Sequence, residues 1–147
     1  MRRGFCVGVV LLLAGLAAPS QAYGQQEDPP GLRDSGFRLG QNYPNPFNPE
    51  TRIPFELGEP LFETGRPVRV TLRIYNVLQQ LVAIPTALNH PQGNGVPVLN
   101  LEYDTPGEKV AYWDGHDMDG REVASGIYYM QLIVNGESVV RRMIVAK

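Results

Sequence analysis

The sequence predicts an all-β fold, an antiparallel sandwich of about seven strands. Three observations predict it. Apolar and polar residues alternate with a period of two in segments bounded by Gly, Pro, Asn and Asp. No stretch sustains a helical period. The 147 residues include 16 Gly and 13 Pro, a turn-rich share that suits short strands better than long helices.

The chain opens with an address. Arg2 and Arg3 give a short basic start, and Gly4 to Ala18 then run without a charge around Leu11, Leu12 and Leu13. Ser20 and Ala22 supply the small-x-small pattern of a signal-peptide cleavage site. The apolar run falls short of the roughly 20 residues that span a bilayer, so no stable transmembrane anchor is expected. Cleavage after Ala22, with a cut near Gly24 as the alternative, makes 1–22 a signal peptide and the protein an exported one. Cys6 precedes the apolar run, so it is read as filler that leaves with the leader rather than as a lipid anchor. Residues 23–36 carry Gln25-Gln26-Glu27-Asp28-Pro29-Pro30-Gly31 and read as a flexible linker. The third segment, 37–147, is the sandwich.

Its elements follow in order. Thr51 to Leu57 is a first strand. Val68 to Val77 is the clearest: Val68, Val70, Leu72 and Ile74 share one face, and Arg69, Thr71, Arg73 and Tyr75 share the other. One face is therefore buried and the other solvated. Leu81 to Thr86, Val98 to Tyr103 and Lys109 to Trp113 follow. Ile127 to Val134 and Ser138 to Ala146 flank Asn135-Gly136. Asn-Gly suits a type I′ turn, whose two central residues need positive φ, so these strands form a hairpin. The strand number is that of an immunoglobulin-like sandwich.

Charge and composition narrow the function. Thirteen basic and 15 acidic residues give a net charge of −2, and losing Arg2 and Arg3 leaves 11 basic residues against 15 acidic. This is no footprint for nucleic acid. One cysteine and two histidines leave little for disulfide, zinc or acid–base chemistry. Asp114-Gly115-His116-Asp117-Met118-Asp119-Gly120 is the densest polar cluster. It fails the EF-hand spacing, because His116 and Met118 fill positions that need oxygen ligands. It reads as a pair of turns in which Asp side chains bond backbone N–H groups and Gly supplies positive φ. Opportunistic calcium is the alternative. His90 lies in a loop tip and reads as solvated. No catalytic, cofactor or metal residue is assigned, and an enzyme is not expected. Trp113 has two readings, a plug between the sheets or a stacking platform for a sugar ring. Tyr128 and Tyr129 fall on opposite faces, so only one can be core.

Three segments carry a family resemblance. They are Gln41 to Leu57 with its Asn42-Tyr43-Pro44-Asn45-Pro46-Phe47-Asn48-Pro49 run, Val70 to Val82, and Trp113 to Tyr129 continued by Arg141-Arg142-Met143-Ile144-Val145-Ala146-Lys147. Together they resemble the C-terminal sorting domain of the type IX secretion system (type A), which is similar to the immunoglobulin-like domain of flagellar hook-capping proteins. The resemblance covers about 37–147. It implies a secreted or cell-surface protein that crosses the periplasm. Its partners would be the outer-membrane type IX translocon and the C-terminal signal peptidase that cleaves such domains. Pro44, Asn45, Pro46, Gly126, Tyr128, Arg142 and Lys147 match the family's recurrent positions and are motif positions, not catalytic ones.

Physics gives these residues a second reading. Pro44, Pro46 and Pro49 fix φ near −65° and bias the residues before them toward extended backbone, so the segment is a stiff lead-in to the first strand. The last strand reads either as a sheet edge or as a linear peptide that a translocon grips. Gln79 stands where the family commonly has Gly. Segments 58–67 and 87–108 look like insertions, where a private function would sit. Sorting domains normally follow a large passenger. Here only Tyr23 to Gly36 precedes one, so the chain is expected to be either the whole product or a remnant. A small carbohydrate-binding or adhesion module on the same fold is the alternative function.

Overall fold

The structure is a computed structural model that describes residues 36–147. The predicted signal peptide and nearly all of the predicted linker lie outside the described residues. Two antiparallel sheets face each other. One has the order β1 (Phe37–Leu39), β2 (Thr51–Leu57), β7 (Gly107–Trp113), β5 (Thr86–Leu88). The other runs β4 (Leu81–Ala83), β3 (Val68–Tyr75), β8 (Gly126–Val134), β9 (Glu137–Val145), with β6 (Leu101–Tyr103) beside β3. With β4 and β6 set aside, the remaining orders match the ABED and CFG sheets of an immunoglobulin-type sandwich.

Nine strands stand where about seven were expected. One extra strand comes from Leu81 to Thr86, which is not continuous. Ile84-Pro85 breaks it, and the chain crosses from one sheet to the other. Pro85 has no N–H to give to a ladder, and its carbonyl accepts from the Val98 N–H instead (2.9 Å). The other is β1, three residues paired with Leu57, Glu56 and Phe55. It precedes the proline segment, which therefore leads into β2 rather than into the first strand. Val98 to Tyr103 is shortened to β6. In the insertion 58–67, Glu59–Phe62 makes one 3-10 turn with Pro60 near its start.

The alternation read in β3 sets the core. Val68, Val70, Leu72 and Ile74 are fully buried; in register Val70, Leu72 and Ile74 lie opposite Val134, Leu132 and Met130 of β8, and Val68 lies opposite Tyr103 of β6. Phe37, Leu39, Ile53, Phe55, Leu57 and Ala111 close the core from the other sheet. Each fully buried aliphatic side chain contributes about 1.5–3 kcal/mol. The edge of β3 away from β8 is covered along its length. β6 pairs with Val68 to Val70, the Leu72 N–H donates to the Val98 carbonyl, and the Thr71 hydroxyl accepts from the Asn100 N–H. β4 pairs with its last residues. Thr71, on the outward face, is buried because this loop covers it.

His90 corrects the sequence reading. It is not solvated but only 7% exposed. Its Nδ1 accepts from the Gln92 N–H (3.1 Å), its Nε2 lies 2.8 Å from the Glu102 carbonyl oxygen, and its ring meets the Tyr103 ring edge-on. The histidine pins the 87–108 insertion to the sheet. Its signal was hidden because the partners are backbone groups, which no sequence pattern names.

Burial of the Tyr103 side chain pushes its hydroxyl pKa up to about 12. In the unfolded chain a tyrosine loses its proton near 10. The unfolded state therefore ionises first, and stability that is complete below about pH 10 falls as pH rises toward 12. Tyr112, hydrogen-bonded to Glu50, and buried Tyr128 are raised as well and act with the same sign. Urea midpoints should drop between pH 9.5 and 11.5, and Tyr103→Phe should flatten part of that slope.

The two hairpin turns are of opposite quality. Asn135 and Gly136 both have positive φ (48° and 90°), as the type I′ turn requires. Gln79 also sits in the left-handed region, at φ 61°, where a side chain costs about 1 kcal/mol. The Asn76 side chain offsets this by accepting from the Leu78 and Gln80 N–H groups (3.0 Å each). Gln79→Gly should raise stability by about 1 kcal/mol, read as a higher thermal midpoint. An unchanged midpoint would mean that the turn is already relaxed.

Candidate functional site

The candidate site is one end of the sandwich, where the proline segment meets the last strand. β9 is an edge strand, so every second residue points its N–H and C=O away from β8. From the Arg142 carbonyl to the Ala146 N–H those groups are taken. The Gln41 side-chain amide donates to the Arg142 carbonyl (3.1 Å), and the Ile144 N–H donates to Asn45 Oδ1 (3.0 Å). The Phe47 N–H donates to the Ile144 carbonyl (3.1 Å), and the Ala146 N–H donates to the Phe47 carbonyl (3.0 Å). Phe47 thereby makes a one-residue parallel bridge to Val145. The proline segment lies along half of an edge strand and covers its bonding groups, as edges generally require.

The segment is itself held. Asn42 and Thr51 are buried polar residues bonded to each other and to the Pro44 carbonyl. Tyr43 pairs antiparallel with Arg52. The peptide bonds before Pro44, Pro46 and Pro49 are cis. Pro44, Asn45 and Pro46 are exposed on the tip of this loop.

Phe47 is the anchor. It is buried, and its ring stands edge-on to Trp113, which stands edge-on to Tyr128 (centroids 5.4 and 5.9 Å). Trp113 is 3% exposed and donates from Nε1 to the His116 carbonyl (2.8 Å). Of its two readings, the plug is the one the structure has; a ring this buried has no face to stack on a sugar. Tyr128 is core and donates to the Ala124 carbonyl, while Tyr129 faces outward, as alternation requires. Gly126 begins β8 directly opposite Val145, with φ 152°. The Lys147 N–H donates to Ser125 Oγ, and its ammonium lies 3.5 Å from the Glu122 carboxylate on the surface. Exposed ion pairs of this kind are worth little.

All seven motif positions thus border the last strand or the aromatic trio beneath it. Asn45 bonds it, Gly126, Tyr128 and Lys147 frame it, Arg142 belongs to it, and Pro44 and Pro46 shape the loop that covers it. Sequence reasoning did not single out Gln41, Phe47, Gly115 or Ser125. Phe47 carried a signal, one large apolar residue inside a Pro/Asn loop. The others act through single backbone contacts and carried none.

The acidic loop 114–120 is the expected pair of turns. Asp114 Oδ1 accepts from the His116 N–H, and Asp117 Oδ1 accepts from the Asp119 and Arg121 N–H groups. Gly115 and Gly120 both have φ 79°. Among the described residues, no group of three or more His, Cys, Asp or Glu is placed to share a metal ion. No described helix is long and apolar enough to cross a membrane.

Asn45→Ala should lower global stability by only about 0.5–1 kcal/mol, since the bond it removes is solvent-accessible. The local effect should be larger. Hydrogen exchange at the Ile144 amide should accelerate while amides in β3 keep their protection, a difference that measures how far this side chain holds the last strand.

The chain thus belongs by its structure to the all-β sandwiches. No protein-family model matches it. No curated protein matches it either. Among solved structures it is similar to dimeric latent PorU from Porphyromonas gingivalis, at 21% identity and a TM-score of 0.49. The match covers 75% of this chain and 9% of that one, so this chain spans a small fraction of that protein's length. A superposition of this quality carries no inference about role.

Proposed function

We propose that residues 37–147 are a non-catalytic sorting domain of the type IX secretion class, carried by a protein exported to the outer cell surface. The carrying observation is convergence. Residues far apart in sequence, which resemble one family's recurrent positions, assemble around a single element, the strand that ends at Val145. The partners in this reading are the outer-membrane translocon and its C-terminal signal peptidase. They would meet either the folded edge or the strand released from the proline loop.

The test is a fusion of a signal peptide, a reporter and residues 37–147, expressed in a bacterium competent for type IX secretion. The reporter should reach the cell surface or the medium. Deleting 142–147 should trap it in the periplasm. Undiminished export of the truncated fusion would refute the proposal, and so would failure of the complete fusion to leave the periplasm.

A further inference from the structure

The outward face of the β3–β8–β9 sheet carries an unusual set of side chains. Register places Ile144 beside Ile127, aligns Arg142, Tyr129 and Tyr75 in one cross-strand row, and aligns Val140, Gln131 and Arg73 in the next. Ile127 and Ile144, 39% and 36% exposed, are direct cross-strand neighbours, and Val140, 53% exposed, lies on the same face of β9 on the other side of Arg142. Exposed apolar side chains thus flank an exposed arginine on both sides.

The outward charges of β3, β8 and β9 have one sign. Arg69, Arg73 and Arg142 point outward. Arg69 is paired with Glu102 at the corner (3.5 Å), whereas neither Arg73 nor Arg142 has an ion-pair partner among the described residues. Every other outward position in the register of these three strands is uncharged. The chain as a whole carries more acid than base, so the positive face is a local arrangement rather than an average.

We infer that this face is a docking surface for an acidic protein segment, one presenting carboxylates spaced to meet Arg73 and Arg142 with aliphatic side chains between and beside them. The two arginines are separated by two strand spacings and one register step, about 12 Å between backbones. Residues i and i+4 of an extended strand match that distance. Tyr75 and Tyr129 lie between the arginines and offer flat rings with polar tips, which suit an interface. A second copy of this chain is a poor occupant, because stacking the face on itself would oppose guanidinium with guanidinium. Arginine favours planar, paired recognition of carboxylates. The face shares Arg142 with the sorting-motif positions, but its test reads peptide binding rather than export.

The experiment measures binding of the purified chain to an extended peptide, Val-Thr-Glu-Thr-Val-Thr-Glu-Thr-Val, whose glutamates and valines share one face, by fluorescence anisotropy and by NMR shift mapping. The lysine-for-glutamate version and heparin serve as comparison probes. Expected are shifts at Ile127, Tyr129, Val140 and Ile144, and an affinity that falls with salt. An Arg73→Gln/Arg142→Gln variant should bind about tenfold more weakly, while Arg38→Gln, on the other sheet, should bind as before. Both substitutions are outward-facing, and a superposable spectrum of unshifted core methyls confirms the fold. Equal affinity for the lysine peptide, tighter binding of heparin, no binding of the acidic peptide, or unchanged binding by the double variant would each overturn the inference.

Discussion

Trp113→Ala is expected to destabilise the fold by about 3–5 kcal/mol, the range for emptying a buried aromatic site. Trp113 is enclosed between Phe47 and Tyr128, and both rings would lose their edge-on partner. The His116 carbonyl would also lose its indole donor. The cavity cannot collapse easily, because Phe47 is tied by its own backbone to Ile144 and Ala146, and Tyr128 is fixed in the middle of a paired strand. With a urea slope of about 1–1.5 kcal/mol/M the midpoint should fall by roughly 2–5 M. The size of the effect also decides between the two sequence readings of this residue. A surface stacking platform could be truncated at a cost within about 0.5 kcal/mol. A large loss of stability makes any accompanying loss of glycan affinity uninformative, so the adhesion alternative would need a different residue to carry it.

How much of this was legible in the sequence depends on which physical link each feature uses. The four-residue stripe of β3 was legible because period-two burial is written directly into side-chain type. The β8–β9 hairpin was legible because Asn135-Gly136 is one of few pairs that tolerate positive φ at both positions. The turns at Asp114 and Asp117 were legible because their bonds reach only two to four residues along the chain. What failed was non-local. β1 is a strand because Leu57, Glu56 and Phe55 lie beside it, not because three residues can show a period. Pro85 turned one expected strand into two by sending the chain across the sandwich. His90 looked free because its partners are carbonyl and amide groups of Glu102 and Gln92.

The candidate site divides in the same way. Its membership was legible through the family resemblance, which supplied Pro44, Asn45, Pro46, Gly126, Tyr128, Arg142 and Lys147. Its construction was not. Nothing in a linear reading joins Asn45 to Ile144, 99 residues away, by one side-chain oxygen. A resemblance can say which positions recur, but only the fold says that they recur around one strand.

Gly115→Ala should be the most disruptive of the glycine-to-alanine changes among the described residues, and Gly120→Ala is its control. Both glycines have φ 79°, so both substitutions carry the left-handed penalty of about 1 kcal/mol. They differ in surroundings. A Cβ at Gly120 meets nothing within 4 Å, so that penalty should be the whole cost. A Cβ at Gly115 would overlap the Pro49 carbonyl oxygen, and its next neighbours are also backbone atoms of Pro49. No flexible side chain is there to yield. The proline segment must retreat, and Phe47, Asn45 and Gln41 retreat with it from the last strand. The expected cost is about 3 kcal/mol or more, in the class of buried overpacking, and amide exchange should rise together at Ile144 and Ala146. In the export fusion, Gly115→Ala would present the same sequence with its final strand loosened. Export faster than wild type would mean that the strand is read after release from the loop. Export lost while the reporter accumulates in the periplasm would mean that the clamped edge itself is what the machinery reads. Equal destabilisation by the two alanines would show that the proline segment does not bear on Gly115 at all, and the picture of a loop clamping the strand would fall with it.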